Sequence, residues 1–265
     1  MAASAFLPYF DLLLSVALGM ARIYPVAYLV PVFCFQHLRG LPRHAIVFAL
    51  AMLPAPGIRQ ALIDAQVNWL FLGGLMVKEL ILGFLLGVLL AMPFWLYESV
   101  GALLDNQRGA LIGGQLNPAL GTDTTPLGHL FKEMIILLLV ATLGIGTLTQ
   151  VIWDSYLVWS PTTWFPLPGA DGFGVFLGLL AEMFMHMLLY AAPFIGLLLL
   201  VEFSLALLSL YSPQLQVFIL AMPAKSLIGL GFLLFYLPTL WDAMTGRLIR
   251  YGEIRHLLDL LLQAP

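Results

Sequence analysis

The sequence predicts an all-α, multi-helix membrane-associated protein with broken helices and helical hairpins. Hydrophobic residues make up 62% of the chain and charged residues only 9%, whereas about 25% of the residues in a soluble domain are charged. Apolar runs recur along the sequence, and several reach the roughly 20 helical residues that cross a bilayer core of about 30 Å. Charges and prolines interrupt these runs, which is typical of helices that pack against other protein.

Six apolar runs define the predicted helical segments in chain order. The run at 45–56 is too short to span a bilayer, and the run at 66–97 is longer than one span needs. Connectors that contain proline and glycine separate the runs, as at 54–60 and 159–172. The six runs lie at about 5–36, 45–56, 66–97, 134–153, 173–201 and 215–241.

Several charged residues lie inside these runs. A charge at membrane depth costs about 2.5 kcal/mol or more, so each of these residues is expected to face protein or a wet cavity. Lys78 and Glu79 are adjacent and point about 100° apart on a helix, so we predict that they do not pair directly and that each finds a partner elsewhere. The interrupting residues are Asp11, Arg22, Lys78, Glu79, Glu182 and Lys225.

Glycines and prolines inside the runs predict helix contacts and helix breaks. Gly83 and Gly87 form a GxxxG spacing, which is a helix-contact signal in an apolar segment. Proline lacks a backbone N–H, so the prolines are predicted to break helices and to free backbone groups that neighbours must satisfy. The prolines concerned are at positions 25, 31, 93, 193 and 223.

The positive charges give conflicting topologies. Arg39 and Arg43 would place the first connector in the cytoplasm, and the arginines after residue 246 would do the same for the last segment. The connector at 154–172 has no Lys or Arg and should lie outside. If the runs at 173–201 and 215–241 both span the bilayer, however, the last segment returns to the outside. Either one run is a re-entrant hairpin, or the chain does not thread the bilayer serially.

Composition and motifs also limit the function classes. A net charge of −3 gives no basic field, so no nucleic-acid partner is expected. The single Cys34 excludes an internal disulfide, and no spacing of Cys and His indicates a metal site. The sequence has no P-loop, no G-x-S-x-G and no HExxH motif. We therefore expect no catalytic residues, no metal and no cofactor.

The segment AEMFMHMLLY holds the residues closest to a reactive or metal-binding set. Glu182 and His186 are spaced i,i+4 and are the one close pair that an intramembrane hydrolase could use, although a structural contact is the favoured interpretation. Met183, Met185 and Met187 with His186 could bind copper(I), but a helix scatters alternate positions around its axis, so packing explains them better. A proton-coupled secondary transporter, which uses buried Glu and Lys residues, is the alternative function.

ESVGALLDNQRGALIGGQLNPALG, residues 98–121, is an unusually polar and glycine-rich segment for so apolar a chain. If its first half is helical, one stripe holds Glu98, Gly101, Asp105, Arg108 and Gly109. Asp105 and Arg108 are spaced i,i+3 and can pair. After this stripe, glycines and prolines predict an almost uncharged loop. Two interpretations stay open: a helix cap with an exposed connector, or a mobile loop held against a polar, partner-lined lumen.

A second unusual segment is LYSPQLQVFILAMPAKSL, residues 210–227. Ser212 and Pro213 start a turn. Gln214, Gln216 and Lys225 then place three polar side chains in an apolar hairpin. These side chains suggest hydrogen bonds between helices, and the alternative is a simple loop between two helices.

Three stretches together resemble the SctT/FliR family, the T (or flagellar R) subunits of the type III secretion export apparatus. They are ESVGALLDNQRG, LNPALGTDTTPLG and VEFSLALLSLYSPQLQVFILAMPAKSL, in the order that the family has them. The residues that match the central motif are Glu98, Asp105, Arg108, Gly109, Pro118 and the run 126–128. Those that match the second motif are Glu202, Pro213, Gln214, Phe218, Pro223 and Lys225.

The resemblance implies a structural subunit of the export gate in the bacterial inner (cytoplasmic) membrane, multi-pass or partly extramembrane within the apparatus. Such a subunit would join the R-type and S-type subunits, and the U-type switch subunit, around a conduit for unfolded secreted proteins. It would catalyse nothing. Its polar contacts would be structural and would involve Glu98, Asp105, Arg108, Glu202, Gln214 and Lys225.

In that family the loop after the central motif acts as a plug in the closed channel, which here would be about 106–122. The plug residues implied by position are Asn106, Gln107, Gly109, Gly113, Gly114, Gln115, Asn117 and Pro118. The chain is expected to be one export-apparatus domain, 1–265. Its parts are N-terminal helices at about 1–97, the central motif and plug-like loop at about 98–128, C-terminal helical hairpins at about 130–242 and a polar tail at 243–265.

Overall fold

The computed structural model describes residues 2–31, 40–64, 69–109, 125–163, 172–211 and 217–249. These residues form eight α-helices and contain no strand, which confirms the all-α prediction. The helices are α1 (Ala2–Leu29), α2 (Leu41–Met52), α3 (Ala55–Asp64), α4 (Trp69–Gln107), α5 (Pro126–Thr142), α6 (Ile145–Val158), α7 (Gly172–Tyr211) and α8 (Val217–Ile249).

The chain divides into two compact units. Unit 1 comprises Met1–Met92, Val140–Gly178 and Arg250–Pro265, and unit 2 comprises Pro93–Leu139 and Leu179–Ile249. Each unit therefore draws on segments that are distant in sequence, so long-range packing and not chain order defines it.

In unit 1, α1 packs against the bent pair formed by α2 and α3. The axes of α2 and α3 differ by 61° at their short break. Pro54 lies in this break, where its missing N–H and fixed φ favour a turn. Gly19 of α1 lies against α2, because a Cβ at Gly19 would be only 3.5 Å from Ala51 Cβ. Ala51 and Val47 are fully buried on this face.

The GxxxG spacing in α4 marks a close crossing with α1. A Cβ built at Gly83 would overlap the backbone carbonyl of Arg22. At Gly87, a Cβ would lie 2.8 Å from Leu29 Cδ1 and 3.1 Å from Val26 Cα. Only glycine permits this approach of two backbones, so the predicted helix contact is confirmed.

In unit 2, α7 and α8 form an antiparallel helical hairpin with an aromatic interface. Phe194 of α7 contacts the edge of Phe232 of α8, with ring centroids 6.0 Å apart. One turn away, Tyr236 donates a hydrogen bond of 2.9 Å to the carbonyl of Tyr190. The ring of Tyr190 also stacks on Tyr97 of α4 at 5.8 Å. The hairpin thus contacts α4 through this aromatic stack.

The prolines interrupt the helices less than the sequence predicted. Helical structure continues through Pro25, Pro93, Pro193 and Pro223, and only Pro31 lies beyond the end of its helix. The predicted breaks at the first four positions are wrong. A proline removes one helical hydrogen bond, whereas ending the helix would leave several backbone groups unsatisfied in apolar surroundings.

One break occurs where the sequence predicted a single run. The run at 134–153 is divided between α5 and α6 by Leu143 and Gly144. Gly144 has φ 73°, a left-handed conformation that glycine adopts without steric cost. Further along the chain, the predicted polar tail at 243–265 begins inside α8, and the rest of it lies outside the described residues.

Within the part of the chain that the structure describes, four helical segments are long and apolar enough to cross a membrane, and the number rises to six if each bent pair, α2–α3 and α5–α6, counts as one crossing. The four segments are Phe10–Leu29, Trp69–Gln107, Gly172–Tyr211 and Leu220–Ile249. Helices of 39 and 40 residues, as in α4 and α7, are about 60 Å long, which is twice the thickness of a bilayer core. Each of these helices is therefore longer than one crossing of a bilayer core needs.

Candidate functional site

The polar stripe at the end of α4 faces the beginning of α5. Glu98 and Asp105 lie on the same side of the helix, with Gly101 between them. Glu98 Oε1 accepts a hydrogen bond of 2.7 Å from Lys132 Nζ of α5. At Gly101, a Cβ would overlap the backbone of Leu127, so glycine is what lets the first turn of α5 approach α4.

Asp105 is the centre of this contact. Its side chain is fully buried, and its Oδ1 accepts hydrogen bonds from Arg108 Nε at 2.9 Å and Nη2 at 2.5 Å. Its Oδ2 accepts a hydrogen bond of 2.8 Å from the backbone N–H of Leu127. Leu127 is the second residue of α5, where N–H groups lack helical partners and the helix dipole favours negative charge. Asp105 therefore acts as an N-terminal cap supplied by another helix.

The same carboxylate contacts the chain on both sides of residues 110–124. Arg108 lies just before this segment, separated from it by Gly109, and Leu127 lies shortly after it. Helix α4 ends in a turn in which Gly109 has φ 80° and donates from its N–H to the Asn106 carbonyl at 3.1 Å. Asn106 is exposed and Gln107 is half-buried. The other implied plug residues, Gly113, Gly114, Gln115, Asn117 and Pro118, lie outside the described residues.

The second family-like pair also forms a contact. Lys225 Nζ of α8 donates to Glu202 Oε2 of α7 at 2.5 Å. The two side chains differ in exposure, since 56% of the Glu202 side chain is accessible and only 13% of that of Lys225. Gln214, which the resemblance places beside them, lies outside the described residues. That Glu202, Gln214 and Lys225 have structural roles stays a prediction.

Unit 1 contains a buried cluster of charges that joins α1, α4 and the end of α6. Arg22 of α1 makes a two-pronged ion pair with Glu79 of α4, with Nε–Oε2 at 2.6 Å and Nη2–Oε1 at 2.9 Å. Neither side chain is accessible. Arg22 also donates to the carbonyls of Ser155 at 2.6 Å and Trp159 at 2.9 Å. The guanidinium lies 4.2 Å from the ring centre of Tyr156.

Lys78 completes the cluster. Its ammonium donates to the backbone carbonyls of Ser160, Pro161 and Thr163 at 2.9–3.0 Å. It also lies 3.0 Å from Glu79 Oε1, so the prediction that Lys78 and Glu79 do not pair directly is wrong. The two side chains leave the helix in different directions, but the long lysine stem bends its ammonium back to the carboxylate.

The cluster binds carbonyls at the C-terminal end of α6 and in the segment that follows it. Ser155 is the acceptor that lies within α6, and its carbonyl also accepts the N–H of Trp159. Cations near the C-terminal end of a helix are favoured by the helix dipole. Arg22 and Lys78 supply donors to five carbonyls in the stretch 155–163. Glu79 compensates their charge, so three buried ionised groups share one network.

Sequence reasoning flagged the members of this cluster but missed their association. Arg22, Lys78 and Glu79 stood out as charges in apolar runs. The pairing of Arg22 with Glu79 joins residues 57 positions apart, and no local spacing predicts it. Lys132 was not singled out, although a lysine on a helix with apolar neighbours is the kind of residue that needs a partner.

Glu182 and His186 each contact a neighbouring group in the α7–α8 hairpin. Glu182 Oε1 contacts Arg247 Nη2 of α8 at 3.2 Å, while His186 Nδ1 lies 2.8 Å from the Glu182 carbonyl one turn earlier. Its nearest approach to the Glu182 carboxylate is 3.9 Å. Within the described ranges, no group of three or more His, Cys, Asp or Glu side chains is arranged to hold a metal ion.

Long apolar helices, bent helix pairs and ion pairs between helices define a multi-pass α-helical membrane protein. The chain belongs to the family described as bacterial export proteins, family 1, whose model matches residues 13–250. The match covers the stripe on α4 and the α7–α8 hairpin together, and it confirms the resemblance that the motifs indicated.

Named relatives extend over nearly the whole chain. The chain is 35% identical over 226 residues to the Yop proteins translocation protein T of Yersinia pestis, covering 84% of this chain and 86% of the relative. It is 31% identical over 240 residues to the surface presentation of antigens protein SpaR of Salmonella typhimurium, covering 88% of each. The flagellar biosynthetic protein FliR of Bacillus subtilis is 25% identical over 229 residues, covering 84% and 85%.

Proposed function

We propose that this protein is the T-type structural subunit of a type III secretion export gate. The observation that carries the proposal is the family match over residues 13–250, with relatives named for translocation of Yop proteins and for surface presentation of antigens that align along most of their length. Identity to these relatives is 35% and 31%, against 25% for the flagellar protein, which supports a secretion system of the injectisome kind over a flagellum.

The buried charges support a structural role. Glu79 is engaged by two cations at once, and Asp105 by an arginine and a helix N-terminus. Such groups fix helices in place, because each is balanced by partners within the chain. We infer that the subunit catalyses nothing and that the energy for export comes from elsewhere in the apparatus.

The proposed location is the bacterial inner membrane, within an assembly of several subunits. Helices twice as long as the bilayer core is thick are suited to an assembly that rises out of the membrane. We propose R-type, S-type and U-type export subunits as partners, and unfolded secreted proteins as the cargo that passes through the shared conduit.

We also propose that residues 106–122 contribute the seal of the closed conduit. Asp105 supports this role, since it bonds to Arg108 before residues 110–124 and to Leu127 after them. A segment tied at both ends by one buried carboxylate can yield in its middle while its ends stay fixed. The polar contacts at Glu98, Asp105 and Arg108 are then the anchor of the seal.

Purification in gentle detergent tests the proposed function. Mass spectrometry of the tagged chain should identify other export-apparatus subunits that co-purify, and deletion of the gene should abolish secretion while a plasmid copy restores it. A chain that purifies alone, and that transports a small solute driven by a proton gradient, would instead support the alternative of a secondary transporter.

A further inference from the structure

Asp11 is half-buried at a cavity in unit 1, where its charge is not balanced. The cavity has a volume of about 300 Å³ and lies between α1, α3 and the start of α4. Among the described residues that line it, Asp11 is the only charged one. Within the described ranges, no cation or hydrogen-bond donor contacts its carboxylate. Other acidic residues of the apolar helices each pair with a cation, as do Glu79, Glu98, Asp105, Glu182 and Glu202.

Two aromatic rings stand beside this carboxylate. Phe10 precedes Asp11 in α1 and contacts the edge of Trp69 of α4, with ring centroids 5.7 Å apart. Trp69 is 70% exposed, so much of its ring is open to a ligand. An aromatic ring attracts a cation through its quadrupole, and a carboxylate binds one through charge-assisted hydrogen bonds. The group that fits this end of the cavity is therefore positively charged.

The rest of the cavity is suited to hydrocarbon. Leu62 and Ile63 of α3 and Leu72 of α4 line it. Next to Asp11 and Trp69 along the helices, Leu13 is 65% exposed and Leu70 is 88% exposed, so apolar surface continues outside the cavity. A small hydrophilic cation would leave this surface uncovered. The ligand that matches both parts of the cavity carries hydrocarbon together with its positive charge.

The helix ends beside the cavity favour a position at the membrane–water interface. Helix α3 ends at Asp64 and α4 begins at Trp69. Helix ends leave backbone groups without helical partners, and hydrocarbon does not satisfy them, whereas water and lipid headgroups do. Tryptophan is also enriched at this level of the bilayer. A lipid can therefore reach Asp11 with its headgroup and the apolar lining with its acyl chains.

We propose that this cavity binds an aminophospholipid, with the primary ammonium of the headgroup on the Asp11 carboxylate and against the Trp69 ring. A primary ammonium has three N–H donors for the carboxylate oxygens, whereas the quaternary ammonium of a choline headgroup has none. An ethanolamine headgroup is therefore favoured over a choline headgroup. The bound lipid balances the charge of Asp11 and covers the leucine and isoleucine side chains.

Native mass spectrometry tests the choice of lipid. The full chain, with the subunits that co-purify, is incubated with equal amounts of phosphatidylethanolamine and phosphatidylcholine that have the same acyl chains. We expect wild type to retain at least about fivefold more phosphatidylethanolamine, because only this headgroup donates to the carboxylate. Asp11→Asn keeps the shape of the side chain and should retain one fewer phosphatidylethanolamine per copy of the chain. Asp242→Asn is the matched control, since Asp242 is exposed on α8, and it should behave as wild type.

Three results of this experiment would overturn the inference. The first is equal retention of the two lipids by wild type, and the second is unchanged retention in Asp11→Asn. The third is loss of a co-purifying subunit from Asp11→Asn with lipid retention unchanged, which would assign the carboxylate to a protein partner. If Asp11→Asn does not accumulate, Trp69→Leu is used, and it should lower phosphatidylethanolamine retention at least about threefold because the ring no longer attracts the ammonium.

Photo-crosslinking tests the location of the bound lipid. Phosphatidylethanolamine with a diazirine near its glycerol group is incorporated into vesicles that contain the protein, and the labelled peptides are identified. We expect the strongest labelling in peptides that contain residues 10–14 or 69–72. Even labelling of all apolar helices would indicate ordinary boundary lipid and would count against the cavity. Soluble ethanolamine at the concentration of the lipid should leave the labelling unchanged, whereas its loss would assign the site to a free amine.

Discussion

The buried cluster in unit 1 allows a quantitative test through Glu79. Its carboxylate compensates both Arg22 and Lys78, and all three side chains are at most 1% accessible. Glu79→Gln keeps the shape of the side chain but leaves two neighbouring cations without a counter-charge. Removing one partner of a buried pair costs about 3–5 kcal/mol, so we expect at least that loss in the free energy of unfolding.

A second substitution, at Lys78, tests whether the loss of stability in Glu79→Gln comes from the uncompensated charge. Lys78→Met removes one cation and leaves Arg22 paired with Glu79, although the carbonyls that Lys78 contacted lose a donor. At 3.0 Å and an effective dielectric constant of about 20, the attraction between Lys78 and Glu79 is at most about 5.5 kcal/mol. We therefore expect the double variant to be destabilised less than the sum of the single variants by about 2–3 kcal/mol.

The measurement is a detergent denaturation series on the purified assembly, with wild type, both single variants and the double variant at equal concentration. Glu182→Gln is the matched control, because that carboxylate is 38% accessible and its loss should cost at most about 1 kcal/mol. Additive effects within about 0.5 kcal/mol would refute the argument that Glu79 compensates Lys78 through charge.

Three further predictions concern α4 and the segment that follows it. Asp105→Asn should destabilise the assembly by about 3 kcal/mol in the same denaturation series, and a variant as stable as the wild type would mean that the buried charge is not needed. Gly83→Leu should prevent assembly as seen by size-exclusion chromatography, whereas Gly73→Leu, with open space around its Cβ position, should assemble, so equal behaviour would disprove the close crossing. Deleting residues 113–118 should leave assembly intact and raise ion conductance across the membrane, and a complex as tight as the wild type would place the seal in another subunit.

Local patterns in the sequence predicted the features that lie within one helix. Asp105 and Arg108 are one turn apart, and Gly83 and Gly87 are spaced for a helix contact, so helical periodicity alone places each pair on one face. The structure has the Asp105–Arg108 contact and the close approach at both glycines. The apolar composition likewise predicted the all-α fold class, because a chain with only 9% charged residues has few other ways to satisfy its backbone hydrogen bonds in a membrane.

The partners of the isolated charges could not be predicted, because they depend on tertiary packing. Arg22 meets Glu79 only because α1 crosses α4 at Gly83, and the carbonyls near Ser155 arrive from a third segment. The prediction that Lys78 and Glu79 do not pair was wrong, because the 100° between adjacent helical residues describes the directions of their Cβ atoms and not the reach of a long side chain. The helix breaks predicted at the prolines were wrong for a similar reason, because the surroundings decide whether a helix continues after losing one hydrogen bond.

The two charge clusters follow one physical rule at opposite ends of a broken helix pair. Helices α5 and α6 have 17 and 14 residues, and the two ends concerned are buried, since Leu127 is 5% and Ser155 2% exposed, so water does not reach their backbone groups. The N–H of Leu127 at the start of α5 meets the carboxylate of Asp105, and the carbonyls at and just beyond the end of α6 meet Arg22 and Lys78. Each charge has the sign that the helix dipole favours at that end. The charges that looked misplaced in the apolar sequence therefore stabilise the buried ends of these two short helices.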